Sequence, residues 1–233
     1  GGDYWGSQAQ SDVNEIVGMA LDVGVNFFDT AVGYNNGRSE DALGIALKSR
    51  RKEALIGTKT GDTNPKTLSH QLEDSLRRLK TDYVDLYMIH WPNPKYPVDD
   101  VFESLTRLKA AGKVRAIGVC NFGRQQLSEG MATNAQIEIN QVCYNLLSRA
   151  IELEIVPLCQ INQISILAYM PLLQGILADR FQRVEDIPPQ QSRFRHFRPN
   201  RKMSKHSESG AEAEMWQTLE QIRQICRDEN QPM

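Results

Sequence analysis

Six short apolar runs recur along the chain, and each leads into a polar or aromatic side chain. VNFF (25–28) ends at Asp29, EALIGT (53–58) at Lys59 and VDLYMI (84–89) at His90. VRAIGVC (114–120) ends at Asn121, QIEIN (136–140) at Gln141 and QISILA (163–168) at Tyr169. Aliphatic and β-branched residues dominate the runs, as in strands covered on both faces. Helical patterns fill the gaps. Val13, Ile16, Val17, Ala20 and Leu21 follow helical spacing over 12–23, with Ser11 and Asp12 suited to capping and Gly24 to the C′ position. Ser39 precedes EDALGIALKSR as the next cap. Leu68, Leu72, Leu76 and Leu79 stripe a third helix, and Val101, Leu105 and Leu108 a fourth, stopped by Gly112. Trp216, Leu219, Ile222 and Ile225 stripe the last. Strand–helix alternation of this kind predicts βα units and a parallel sheet.

Such a sheet either closes into a barrel or stays open and doubly wound. An open sheet gathers its ligands at one switch point. A barrel brings every strand's C-terminal end to one mouth. Polar residues spread evenly over six strand ends favour the barrel, and no GxGxxG follows the first run. The length of 233 residues suits one barrel domain over 1–233. Lys+Arg of 27 against Asp+Glu of 29 gives a net charge of −2, which argues against a dedicated nucleic-acid binder. The most apolar stretch, 164–178, is broken by Pro171, Gln174 and Gly175, so no membrane span is expected. Gly1 opens no leader-like pattern. Four scattered cysteines without a CxxC pair read as reduced thiols of a cytoplasmic protein.

A barrel mouth would bring Asp29, Tyr34, Lys59 and His90 together. Each alone has an ordinary explanation: a loop cap, a packing ring, a surface amine, a satisfied strand-end histidine. An acid, a phenol, an amine and an imidazole at one rim are a set suited to proton transfer.

The stretches GVNFFDTAVGYNNGRSEDALGIAL (24–47), ALIGTKTG (54–61), SLRRLKTDYVDLYMIHWP (75–92), GKVRAIGVCNF (112–122), NQVCYN (140–145) and AYMPLLQGILADRF (168–181) resemble the aldo-keto reductase family, in family order and over most of the chain. The resemblance implies an α/β fold, a (β/α)8 TIM barrel, of which strands 2–7 are identifiable here and the first and eighth are missing. It implies reversible hydride transfer between NADPH, or NADH, and an aldehyde or ketone. It places the family's catalytic tetrad on Asp29, Tyr34, Lys59 and His90. Tyr34 would donate the proton as general acid, and Lys59 would draw its pKa toward the working range. Asp29 would fix Lys59, and His90 would orient the carbonyl oxygen. Asn121 and Gln141 would hold the nicotinamide carboxamide, and Tyr169 would stack on the ring. Met170, Pro171, Leu172, Gly175 and Arg180 would lie along the pyrophosphate. Cys120 stands where the family usually has Ser, a weaker hydrogen-bond partner, and Met170 stands where it often has Ser. Trp5 and Trp91 either line the substrate pocket or pack at the rim.

The irregular segment 179–210 contains QSRFRHFRPNRKMSKH (191–206), basic with Phe194 and Phe197 interleaved. It reads as a loop over an anionic dinucleotide or as a solvated loop, and nucleic acid is not the expected partner. No membrane partner is expected either; the expected partner is a small carbonyl substrate. His70, His90, His196 and His206 offer no HxH pair, so no metal is expected. A rival reading is a cofactor-binding, redox-sensing module like the channel β subunits of the same family. With two strands unaccounted for, the chain reads as the central portion of a longer protein, poorly soluble or partly folded alone.

Overall fold

The computed structural model describes residues 8–233; Trp5 lies outside them. Contacts divide the chain into two compact units, Gly1–Val142 with Glu152–Leu167, and Cys143–Ile151 with Ala168–Met233.

Strand and helix alternate along the chain from residue 10 to residue 169. Helix α1 (Gln10–Asp22) leads to β1 (Phe27–Asp29), α2 (Arg38–Ala46), β2 (Leu55–Thr60), α3 (Leu68–Leu79) and β3 (Val84–Ile89). Then come α4 (Val98–Ala110), β4 (Val114–Cys120), α5 (Arg124–Met131), β5 (Ile137–Cys143), α6 (Ile155–Ile161) and β6 (Ser165–Tyr169). The strands form one sheet in sequence order, β1 to β6, with parallel pairing between successive strands from β1 to β5. This is the strand–helix architecture of an incomplete (β/α)8 barrel. Leu86, Met88 and Cys120 are buried together, with Phe27, Ala116 and Ile139 against them.

The strand expectations hold for β3 and β4 to the residue. β2, β5 and β6 begin later and run past the expected ends, so Lys59, Gln141 and Tyr169 sit inside their strands. β1 and β6 are edge strands among the described residues and only partly covered, unlike the fully buried β3. The leucine stripe of α3 is buried as expected, and so is that of α4. Gly24 and Gly112 adopt left-handed φ of 87° and 75°, the C′ conformation that glycine tolerates best.

Two caps differ from expectation. α1 starts at Gln10 with Ala9 as N-cap, which leaves Asp12 in the first turn, where a carboxylate suits the helix dipole. α2 starts after Gly37, and Ser39 instead accepts the Thr30 hydroxyl at 2.9 Å.

The second unit holds Leu173–Ala178, a kinked helical turn, and α7 (Glu212–Asp228). Its core joins Leu173, Ile176, Leu177, Ile187, Phe197, Met215 and Leu219. The irregular segment 179–210 is therefore packed: Phe197 has no solvent exposure. Its basic run is also paired internally, Arg195 with Glu208, and Arg198 and Arg201 with the buried Glu212. The buried face of α7 is rotated from the expected stripe. Ile225 is exposed and Arg223 is buried, held by Asp179 and the Phe181 carbonyl.

Candidate active site

The strand ends of the first unit bring four predicted side chains together. Lys59, near the end of β2, has no solvent exposure. Its three ammonium protons meet three acceptors: Asp29 Oδ2 at 2.6 Å, the Thr30 carbonyl at 2.8 Å and the Tyr34 hydroxyl at 3.3 Å. Tyr34 follows β1 in a turn whose Asn35, Asn36 and Gly37 all take positive φ. Its ring stands edge-on to His90 with centroids 5.7 Å apart, and Lys59 Nζ lies 4.8 Å from the ring centre. His90 is fixed by its own backbone N–H, which donates to the Thr60 carbonyl at 3.0 Å. Burial and the Lys59 charge hold its pKa below the usual histidine range, against an opposing pull from Asp29. The ring is therefore neutral at pH 7, one nitrogen carrying a proton to donate.

Asp29 uses both carboxylate oxygens. Oδ2 takes Lys59, and Oδ1 takes Gln141 Nε2 at 3.1 Å. Gln141 is buried on β5, and its Oε1 lies 3.4 Å from Cys120 Sγ. Cys120 faces the interior against Met88 Sδ at 3.7 Å, and burial pushes its thiol up to about 12. Asn121 adopts φ of 60°, a left-handed conformation that Asn tolerates better than most residues. From there its side chain donates to the His90 carbonyl at 3.2 Å. Trp91 is 61% exposed and stacked on His90 at 6.4 Å between centroids. A cavity of about 590 Å³ opens beside Asp29 and Arg38. A second, of about 480 Å³, is lined by Ile89, Phe102 and Phe122 and by none of the four. Among the described residues no group of three His, Cys, Asp or Glu is arranged to hold a metal. No helix among them is long and apolar enough to cross a membrane.

The remaining predicted residues lie in the second unit, Tyr169 at the end of β6 and the others in the tight loop that follows. The Tyr169 carbonyl accepts the Tyr144 N–H at 3.4 Å, and the Met170 carbonyl accepts the Asn145 side chain at 3.0 Å. Met170, Leu173, Gln174 and Gly175 all take positive φ. Pro171 and Leu172 are exposed. The stem of Arg180 crosses the face of Gly175, where an added Cβ would come within 3.0 Å of it. Gln174 Oε1 is buried there with no hydrogen-bond donor.

Sequence reasoning missed two contacts. The Thr30 carbonyl is backbone and leaves no residue-type signal. The Gln141–Asp29 bond joins residues 112 positions apart on strands that are not neighbours.

An acid–amine–phenol cluster with a neutral imidazole stands at the strand ends of a parallel α/β sheet, an arrangement able to move a proton. The Aldo/keto reductase family profile matches residues 1–233, and the chain belongs to that family. It is 35% identical over 184 residues to the NADH-specific methylglyoxal reductase of Escherichia coli (strain K12), covering 69% of this chain and 56% of that protein. It is similar to the solved structure of a glycerol dehydrogenase from Gluconobacter oxydans, with TM-score 0.82, 30% identity, and 98% and 72% of the two chains covered. An aldo/keto reductase from Klebsiella pneumoniae, solved with NADP and acetate, matches at TM-score 0.70 and 25% identity, covering 99% and 90%. The chain spans only 56% to 62% of the length of the curated relatives.

Proposed function

We propose that this chain carries the active site of an NAD(P)H-dependent carbonyl reductase in which Tyr34 protonates the carbonyl oxygen. The supporting observation is the fully buried Lys59 ammonium, with Asp29, the Thr30 carbonyl and the Tyr34 hydroxyl as its three acceptors. Reduction needs a hydride on carbon and a proton on oxygen. As Tyr34 gives up its proton, negative charge grows on the phenolic oxygen, the atom to which Lys59 donates. Asp29 compensates the buried ammonium, which would otherwise be strongly disfavoured. Neutral His90 offers an N–H to the substrate oxygen, orienting it and stabilising charge that develops there.

A nicotinamide dinucleotide supplies the hydride when bound. The donor set fits one. Asn121 and Gln141 offer amides for its carboxamide; the Gln141 amide has a second N–H and a second lone pair beyond those that Asp29 and Cys120 use. Cys120 contributes by setting that amide rather than by touching the cofactor. In the second unit, Tyr169 would offer a ring for stacking, and Arg180 with the backbone of Met170, Pro171, Leu172 and Gly175 would offer groups suited to an anionic pyrophosphate. The buried, donorless Gln174 Oε1 in the same loop suits a ribose hydroxyl. The relatives' names support both phosphate forms, NADP in one structure and NADH in one enzyme. They also support small substrates, methylglyoxal among carbonyls and glycerol among alcohols. Trp91 would form one wall of the substrate site. We place the enzyme in the cytoplasm, where its four free thiols stay reduced.

The test is loss of reduced-cofactor absorbance with methylglyoxal and a panel of small aldehydes, wild type against Tyr34→Phe. The variant is expected to lose at least about a hundredfold in kcat, the scale of one general acid. Equal rates would remove Tyr34 from the mechanism.

A further inference from the structure

We propose that Gln141 is a positioning residue for the Asp29–Lys59 pair, gripping the Asp29 carboxylate from across the sheet with its own orientation set by the Cys120 thiol. The proposal rests on the reading of Tyr34 as proton donor, and its test separates the two.

Asp29 ends the three-residue edge strand β1, and its side chain is 33% exposed. An aspartate in that setting has water as an alternative partner. Two bonds hold it inward: Lys59 on Oδ2 and Gln141 on Oδ1. β1 and β5 share no backbone ladder, because β2, β3 and β4 lie between them in the sheet. The amide therefore spans the concave face and ties the end of β5 to the end of β1.

The direction of the amide matters. Its N–H must face the carboxylate, since a carbonyl there would repel it. Cys120 and Gln141 are register partners on β4 and β5, which places the thiol beside the amide oxygen. The thiol has one proton and two acceptors within reach, Met88 Sδ at 3.7 Å and Gln141 Oε1 at 3.4 Å; the amide oxygen is the stronger acceptor, and a proton given to it marks that end as the oxygen. The thiol's raised pKa keeps that proton in place throughout the neutral range. Cys120, the residue that departs from the family's usual Ser, thus retains a donor in the same place.

The consequence falls on Lys59. With Asp29 held, one ammonium proton is committed to Oδ2 and one to Thr30, and the third points at Tyr34. If Asp29 swings to water, Lys59 loses its counter-charge, and the direction of that third proton is no longer fixed.

The readout is His90, whose charged neighbours are Lys59 and Asp29 and whose ring neighbours are Tyr34 and Trp91. With four histidines in the chain, NMR titration resolves its ring signal, assigned by its loss in His90→Gln. In the cofactor-free chain, Gln141→Leu is expected to move the His90 midpoint further down, because Lys59 then acts without Asp29 beside it. Cys120→Ala is expected to move it the same way, and Cys120→Ser to return it to the wild-type value. A midpoint that stays or rises in folded Gln141→Leu overturns the proposal. If that variant fails to fold, the Cys120→Ala and Cys120→Ser pair decides: identical midpoints overturn it. In turnover, Gln141→Leu is expected to lower kcat about tenfold with a smaller change in KM for the carbonyl. A wild type that reduces no carbonyl defeats the functional reading alone, since the titration uses neither cofactor nor substrate.

Discussion

An ammonium with no solvent exposure must find its counter-charge and its acceptors within the fold. Lys59 finds a carboxylate, a backbone carbonyl and a phenol, one for each proton. His90 faces the opposite demand. Burial and the Lys59 charge disfavour its protonated form, so its folded pKa lies below the ordinary 6.5. The unfolded chain then binds a proton that the folded chain refuses, and folding loses stability as pH falls from about 6.5 through the depressed value. Below that value both states are protonated and the loss levels off. His90→Gln is expected to flatten this part of the stability-against-pH curve, measured by urea unfolding at stepped pH. An unchanged slope would mean that the imidazole is neutral for no cost. Asp29, Lys59 and His90 were legible in sequence because they stand at strand ends, where a parallel sheet delivers side chains to one rim, whereas Tyr34, in the turn after β1, was legible chiefly through the family resemblance. The Gln141–Asp29 bond was not legible, because strand order alone does not say which side chains meet across a concave face.

At the scale of elements, α2 and α3 meet at a point that excludes a side chain. A Cβ on Gly44 would lie 2.4 Å from the Arg78 carbonyl oxygen and 2.6 Å from the Leu79 carbonyl carbon. The same seam buries Glu40 completely, its carboxylate accepting the Thr58 hydroxyl at 2.6 Å and Arg78 at 3.0 Å. Gly44→Ala is expected to lower Tm despite alanine's helix preference of about 1 kcal/mol, because backbone must move to admit the methyl. Gly18→Ala, in α1 with nothing within 4 Å, is expected to raise Tm. The opposite signs are the check; a rise for both would show that the α2–α3 seam yields easily. Strands and long helices were readable from period and composition. α5 and α6 were not. α5 buries only Leu127 and Gly130, too few points to define a period. α6 is apolar on nearly every side, with Pro157 in its first turn, so no stripe stands out.

At the scale of the whole molecule, each of the two compact units buries apolar residues of its own among the described residues. Sequence alone assigned the segment 179–210 to loop because its apolar residues follow neither helical nor strand spacing. The structure buries it through isolated anchors instead, Ile187 and Phe197 set among Leu173, Leu177 and Leu219. Phe197→Ala is expected to cost about 3–5 kcal/mol in the stability of this unit and to open the segment to protease, with cleavage mapped by mass spectrometry. Cleavage no faster than in wild type would show the ring to be dispensable. The buried amine of the first unit has a use of its own. Acylating reagents reach Lys48, Lys52, Lys66 and Lys95, which are exposed, while Lys59 is sealed. Acetyl groups should therefore accumulate on the exposed lysines at once and on Lys59 only at the pace at which the sheet opens. The chain contains its own clock for that opening, readable peptide by peptide from the acetyl groups, with no substrate required.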